Sequence, residues 1–317
     1  MKIPKRIADI LKRRQEFIDA QRAKMENTVI RLQSQLFSDL VEKLIPELDV
    51  EGGVIKESAK NYRLLSVLDK AYKDFQTGAN TVIFEQIIAG TTTIAALAEK
   101  QFKVVLSGDI PARFETVIAK TDKLINLRLG LDGGKLVNGG YLKSFFESNT
   151  IGTELKEMAS KAVTSQMSIK DFVKILKEKI NGTAEGKGVM ERQFQRYAFD
   201  LYQQYDSAYN KTLGDEFGFR YFIYQGGLIR DSRDFCAAHN NKVWSVDEAQ
   251  EWATWTPSQG EYPEGYEIKQ KDIYAVPSYL GYAGYDPLVD RGGYNCRHSL
   301  GYIPDELAME LRKDLKD

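Results

Sequence analysis

Apolar residues recur at three- and four-residue steps early in the chain: Met25, Val29, Leu32, Leu36, Leu40 and Leu44, with charged and amide residues between most of them. That spacing returns every apolar side chain to one face of a helix, so a helix is predicted over about residues 5–45, ended by Pro46. The same texture runs through residues 56–120, including 62–75 and 80–102, with a break expected at Gly108-Asp109-Ile110-Pro111. Leu129-Gly130-Leu131-Asp132-Gly133-Gly134-Lys135 and Gly139-Gly140 have turn chemistry instead. Ser168-Ile169-Lys170-Asp171 reads as a helix start, because the serine oxygen can accept from first-turn amides, and Gly182 as its stop. A further helix is predicted over about 189–213, with Phe194, Tyr197, Ala198, Leu201, Tyr202, Tyr205, Tyr209 and Leu213 in one aromatic and aliphatic stripe, the signature of a core face.

From Phe217 the pattern shortens. Phe219 to Tyr224 reads as a strand, Gly226-Gly227 as a turn, and Leu228-Ile229 as another short extended run. A short helical turn is expected to carry Cys236 and His239, the Asn240-Asn241 turn leads into Lys242-Val243-Trp244, and Ser245-Val246-Asp247-Glu248 opens a helix through about Trp255. Residues 256–295 are rich in Tyr, Gly and Pro with little periodicity. The chain is therefore expected to be α+β, mainly α: a helical N-terminal region (1–140), a helical segment leading onward (141–218), and a small metal-clipped α+β domain with short strands (219–317).

The clip comes from residue chemistry. The only two cysteines and two histidines form two tight pairs, Cys236 with His239 and Cys296 with His298, separated by 56 residues. Cys-x-x-His and Cys-x-His can each grip one edge of a tetrahedron, so Cys236, His239, Cys296 and His298 are the candidate ligands of a structural zinc. A metal there would close a long loop in a segment with little aliphatic content of its own. Other readings of the same residues are buried structural thiols with ordinary hydrogen-bonded histidines, a Cys236–Cys296 disulfide, or a Cys/His catalytic pair. Arg233 and Arg297, beside the two pairs, are expected to brace the ligand loops by donating to loop carbonyls or to Asp231 and Asp234.

At 317 residues, with 43% hydrophobic and 28% charged side chains, the chain is long enough for two cores. The basic start lacks the apolar run of a signal peptide, and no membrane partner is expected; a reducing cytoplasm favours thiolate ligands over a disulfide. Net charge is −1, but residues 1–24 carry eight basic groups against three acidic, and residues 231–317 nine basic against sixteen acidic. The basic arm could touch DNA or an acidic protein surface, or form a solvated helix face; the acidic end would repel phosphates. A stacking groove built on Tyr262, Tyr266, Tyr274, Tyr279, Tyr282 and Tyr285 lacks interleaved cations. The Pro-Cys-x-x-Cys and catalytic glutamate of zinc deaminases are absent, as is His-Glu-x-x-His.

The succession Phe219-Arg220-Tyr221-Phe222-Ile223-Tyr224, Arg230-Asp231-Ser232-Arg233-Asp234-Phe235-Cys236-Ala237-Ala238-His239, Asn240-Asn241-Lys242-Val243-Trp244 and Arg291-Gly292-Gly293-Tyr294-Asn295-Cys296-Arg297-His298 resembles the phage Mu protein F-like domain over about residues 190–304. Residues 85–190 are similar to the N-terminal part of such proteins. The commoner family pattern has Cys-x-x-Cys and His-Pro-x-Cys-Arg-Cys. Here His239 replaces the second cysteine, Gly293 stands where that histidine would be, and His298 replaces the last cysteine. The resemblance implies a non-enzymatic minor head protein of a tailed phage, near the portal inside the head, aiding head morphogenesis, DNA packaging or delivery. Its partners would be the portal, other head proteins or a second copy of the chain, and DNA through the basic arm; its places would be the host cytoplasm and then the virion. A Cys/His-dependent hydrolase or toxin-like enzyme and a nonspecific DNA-binding virion protein are the competing readings. Phe17, Ile18, Met25, Val29, Leu32 and Leu36 form an apolar face that needs another surface, the helices of residues 56–120 within the chain or, in the head, the portal or a neighbouring copy; removal of residues 1–45 is expected to leave the C-terminal domain folded and to abolish incorporation into heads.

Overall fold

The computed structural model describes residues 3–106, 111–197, 201–230, 232–269, 285–293 and 296–316. The fold is α+β and mainly α. Helix α1 spans Lys5–Leu44 and α2 Ala59–Val105; between them β1 (Val50–Glu51) and β2 (Val54–Ile55) form a small hairpin. The two pieces predicted over 62–75 and 80–102 are one helix, because the one glycine between them, Gly78, costs only about 1 kcal/mol. An 18-residue window of α2 has a mean hydropathy of 1.4, apolar enough to cross a membrane, and 44% of that window is buried inside the fold. Helix α3 (Phe114–Leu129) ends at Gly130, whose φ of 81° supplies the left-handed cap, and β3 (Leu131–Asp132) and β4 (Lys135–Leu136) turn about Gly133-Gly134. Helices α4 (Tyr141–Phe146), α5 (Thr150–Thr164) and α6 (Ile169–Asn181) follow. The Ser168 side chain caps α6 by accepting from the Asp171 amide, and Gly182 ends it. The stripe predicted over 189–213 is carried by α7 (Val189–Tyr197) and α8 (Leu201–Phe217); Phe194, Leu201, Tyr202, Tyr205, Tyr209 and Leu213 are buried, and Ala198 lies outside the described residues.

The segments divided in chain order at 140 and 218 do not correspond to the compact units, which interleave: Met1–Gln21, Ala89–Val137 and Asp200–Asp317 form one, Arg22–Ile88 and Asn138–Phe199 the other. In the second unit, Leu36, Leu40, Leu44, Ile55, Leu68, Leu155, Phe172, Leu176 and Ile180 make one apolar core. Asn61 is buried there and satisfied, accepting from the Asp49 amide and donating to the carbonyls of Asp49 and Lys56.

The first unit holds an antiparallel sheet ordered β6-β5-β7, from β5 (Tyr221–Gly226), β6 (Lys242–Ser245) and β7 (His298–Ile303). Leu228-Ile229, expected to be extended, lies outside the sheet and exposed. Helix α9 (Asp234–His239) precedes β6; α10 (Val246–Gln250) starts at the predicted box, with Ser245 and Glu248 capping each other's amides. Helix α11 is Pro287–Asp290 and α12 is Asp305–Leu311. Register pairs Tyr224 with Leu300 and Phe222 with Tyr302, so these residues share a face with His298, while Ile223, Val243 and Ile303 pack on the other.

Strand β7 is an edge strand, and its outer carbonyls are covered by side chains. Gln203 Nε2 donates to the His298 carbonyl at 2.8 Å and Arg14 NH2 to the Leu300 carbonyl at 2.9 Å, while Ser299 Oγ donates to Gln15 Oε1. Arg14 is fully buried, paired with Asp206 through Nε at 3.0 Å, and it also donates to Gln101 and to Asn210. Leu11 fills the space above Gly301, where a Cβ would meet its Cδ1 at 2.6 Å. The first turns of α1 are thus part of the α/β unit. Removing residues 1–45, expected to spare the C-terminal domain, would leave Asp206 buried without its cation and the β7 edge open. The apolar face of α1 is likewise buried within the chain at Ile18, Met25, Val29, Leu32 and Leu36.

Candidate metal centre

Helix α9 is short because Asp234 to His239 supply only about one and a half turns before Asn240 takes an extended conformation and Asn241 a φ of 59°. That reversal lets the Asn241 amide reach the Tyr224 carbonyl, and Asn240 Oδ1 accepts from the Gly226 amide, so the Cys236 helix is pinned to the central strand. Across the sheet, Gly293, with φ 85°, turns the chain so that the Cys296 amide donates to its carbonyl, and β7 begins two residues later at His298.

These connections bring Cys236, Cys296 and His298 together. Their ligand atoms all lie within 4.8 Å of one another, and each residue is at most 3% exposed. The two sulfurs are 3.9 Å apart and Cys296 Sγ is 3.8 Å from His298 Nδ1; both thiols are free. With metal–sulfur bonds near ~2.3 Å and metal–nitrogen near ~2.1 Å, tetrahedral edges are about 3.8 and 3.6 Å; the two separations from Cys296 match these, and Cys236 and His298, within 4.8 Å of each other, would close by at most about 1.2 Å on one ion. Tyr224 Oη lies over the same group, 3.6 Å from Cys236 Sγ and 3.3 Å from Cys296 Sγ, its ring stacked on His298 at 4.8 Å.

His239 does not belong to this group, a correction to the four-ligand expectation. Its Nδ1 is 2.7 Å from the Phe235 carbonyl one helical turn back, and its ring is sandwiched between Phe235 at 4.0 Å and Trp244 at 4.5 Å, with Trp252 and Trp255 edge-on. Burial holds its pKa down to about 3, so the ring is neutral. A neutral imidazole beside a carbonyl donates from Nδ1, which leaves Nε2 a bare acceptor; that atom is buried without a partner. His239 also lines a cavity of about 510 Å³ with Trp244, Trp255 and Arg312, whose wall includes neither cysteine nor His298.

The electrostatics favour one thiolate. Burial opposes ionisation of Cys296, but hydrogen bonds from Cys236 and His298 outweigh it and hold this thiol well below its ordinary range. Its partner moves the other way: the hydrogen bond to Cys296, then burial, push Cys236 well above. Arg233 NH1 donates to the Gly292 carbonyl at 3.0 Å, the bracing role expected of it. Gly292 backs directly onto the sulfurs, since a Cβ there would lie 2.7 Å from Cys236 Sγ and 3.3 Å from Cys296 Sγ. Arg297 is half-buried, and its Nε has no hydrogen-bond partner. Asp234 accepts from the Tyr266 hydroxyl and the Lys269 amide; Asp231 lies outside the described residues.

Sequence reasoning missed Tyr224, Gly292 and strand β7. Alternation along 219–224 would have placed Tyr224 on the face of Phe222, but nothing in the sequence aims its hydroxyl at a cysteine 72 positions away. Of the tyrosines considered as a stacking platform, Tyr262 and Tyr266 stack on each other at 5.0 Å and donate to Pro257 and Asp234, and Tyr285 donates to Arg291. Tyr274, Tyr279 and Tyr282 lie outside the described residues. The chain matches no known protein family, no curated protein and no solved structure.

Proposed function

We propose that the protein is a structural component of a tailed-phage head: a minor head protein near the portal, inside the capsid, that acts in head morphogenesis, DNA packaging or delivery without catalysis. The family reading rests on the two motifs around Cys236 and Cys296. The observation that supports a structural role is the sealing of Cys236, Cys296 and His298, each at most 3% exposed. A hydrolase built on the same cysteine and histidine would need a path for substrate to the sulfur. A closed soft-ligand set suits a structural ion instead.

In this reading Cys236, Cys296 and His298 hold zinc, which supplies a cross-link between α9 and the start of β7. Arg233 and Gly292 keep the two sulfurs at their spacing. The portal and other head proteins are the partners. Of the basic groups near the N-terminus Arg14 is taken by Asp206, so a DNA contact would fall to the exposed Lys5, Arg6, Lys12 and Arg13.

The test is co-expression with the portal and major capsid proteins of a tailed phage, chosen from those whose genes are found next to this one, followed by sedimentation of assembled heads and metal analysis of the purified chain. The protein is expected in the head fraction at a few copies per head, carrying one zinc per chain. Its exclusion from heads that assemble and package normally without it would overturn the head-protein reading; a metal-free chain of full stability would overturn the zinc reading.

A further inference from the structure

A fourth donor atom, Tyr224 Oη, lies against the two sulfurs between β5, α9 and β7. Around the two sulfurs the separations are 3.9 Å from Cys236 Sγ to Cys296 Sγ, 3.8 Å from Cys296 Sγ to His298 Nδ1, and 3.6 and 3.3 Å from the two sulfurs to Tyr224 Oη. A tetrahedral ion with bonds near ~2.3 Å to sulfur, ~2.1 Å to nitrogen and ~2.0 Å to oxygen has sulfur–oxygen edges of about 3.5 Å. The phenol oxygen therefore stands at the distance of a fourth corner, while His239, the residue whose sequence spacing suggested that corner, is held by the Phe235 carbonyl.

We propose that Tyr224 is the fourth ligand of the metal site, giving a donor set of two thiolates, one imidazole and one phenolate. This rests on the metal reading above. Tyr224 is placed for it by the fold. It sits in the central strand, fully buried, its ring wedged between His298 and the edges of Phe235 and Trp252, so the hydroxyl has no other position to swing to. On binding, the protons that the thiol pair and the phenol still hold leave to solvent, and the divalent ion with three anionic ligands carries one net negative charge. Arg233 and Arg291 supply the compensating charge, one acting on Cys236 and the other on Cys296. Arg291 is itself buried and anchored on the Gln203 carbonyl at 3.0 Å. Burial by itself opposes ionisation of Tyr224 and Cys236, so the charge of the bound ion, with these two cations beside it, is what would hold the donor set anionic.

Titration of the metal-free full chain with zinc, followed by ultraviolet difference spectroscopy and chelator competition, tests the assignment in the wild type, Tyr224→Phe and His239→Phe. The wild type is expected to gain the difference band of one ionised tyrosine per zinc. Tyr224→Phe is expected to lose that band and to bind zinc at least about tenfold more weakly, and His239→Phe to bind as the wild type does. Should Tyr224→Phe fail to fold, the band in the wild type decides alone. Zinc binding with no tyrosinate band, together with weakened binding by His239→Phe, would overturn the role of Tyr224 and leave the metal reading standing. A wild type that binds no zinc would overturn both.

Discussion

The two compact units solve the problem of holding helices together in different ways. In the helical unit the core is aliphatic and aromatic from Leu36 to Val189, and only Gln33 and Asn61 among the described polar residues are buried. The α/β unit buries Arg14, Gln101, Gln203, Asp206, Asn210, Asp234, Arg291, His298 and Ser299 together with both cysteines. An apolar core is tolerant: each side chain contributes by area, and loss of one is a local cavity. A buried polar network is all-or-nothing, because each group left unpaired costs the desolvation of its charge or dipole. The α/β unit should therefore be the more specific of the two and the more easily undone by a single change.

The largest effect should come from Arg14. Burial lowers its pKa and raises that of Asp206, so the ion pair is held against the desolvation of both partners. Arg14→Met strands the Asp206 carboxylate and should cost about 3–5 kcal/mol in urea unfolding, with the loss concentrated in α8 and β7 by hydrogen exchange. Arg14→Met combined with Asp206→Leu should recover part of that loss, since the stranded carboxylate is gone and only the buried Arg291 loses the Asp206 charge. A single variant costing under about 1 kcal/mol would show that the network contributes little.

Next in size, Leu176→Ala in the helical unit should cost about 2–5 kcal/mol by leaving a cavity beside Phe172 and Ile180. Its effect on exchange should be confined to α5, α6 and their neighbours in that core. Equal loosening of β5 and β7 would mean that the two units unfold as one.

The last predicted effect, the smallest per pH unit, is in pH dependence. His239 has a folded pKa of about 3 against an ordinary value near 6.5, so the unfolded chain takes up its proton first as pH falls. Stability due to this residue is thus complete above pH 6.5 and declines by about 1.4 kcal/mol per pH unit below that, down to the folded pKa. Denaturant midpoints of His239→Phe should show a shallower acid decline than the wild type between those limits. Parallel curves would mean that the ring accepts its proton without unfolding.

The contrast between the units also explains what was legible in the sequence. The helical unit is built from periodicity and caps, and the 25-29-32-36-40-44 spacing, the Ser168 cap and Gly182 are local signals read within one helix. The α/β unit depends on partners far apart in sequence. Arg14 looked like one more base in a cationic stretch, and only the fold brings Asp206 and the Leu300 carbonyl to it. Strand β7 is buried on both faces, so His298-Ser299-Leu300-Gly301-Tyr302-Ile303 shows no alternation, and the edge it forms is covered by side chains instead of a neighbouring strand. The rare residues Cys236, Cys296 and His298 announced a shared site; the helix-internal bond that removes His239, and the strand register that adds Tyr224, are properties of geometry.

The metal proposed at Cys236, Cys296 and His298 would fasten the α/β unit and leave the helical unit independent of it. Hydrogen exchange of the zinc-loaded chain before and after chelation tests this most directly. Amides of α9, β5, β7 and residues 285–293 should exchange faster once the metal is removed, while α5 and α6 keep their protection. Unchanged protection throughout, or equal loss in α5 and α6, would contradict it.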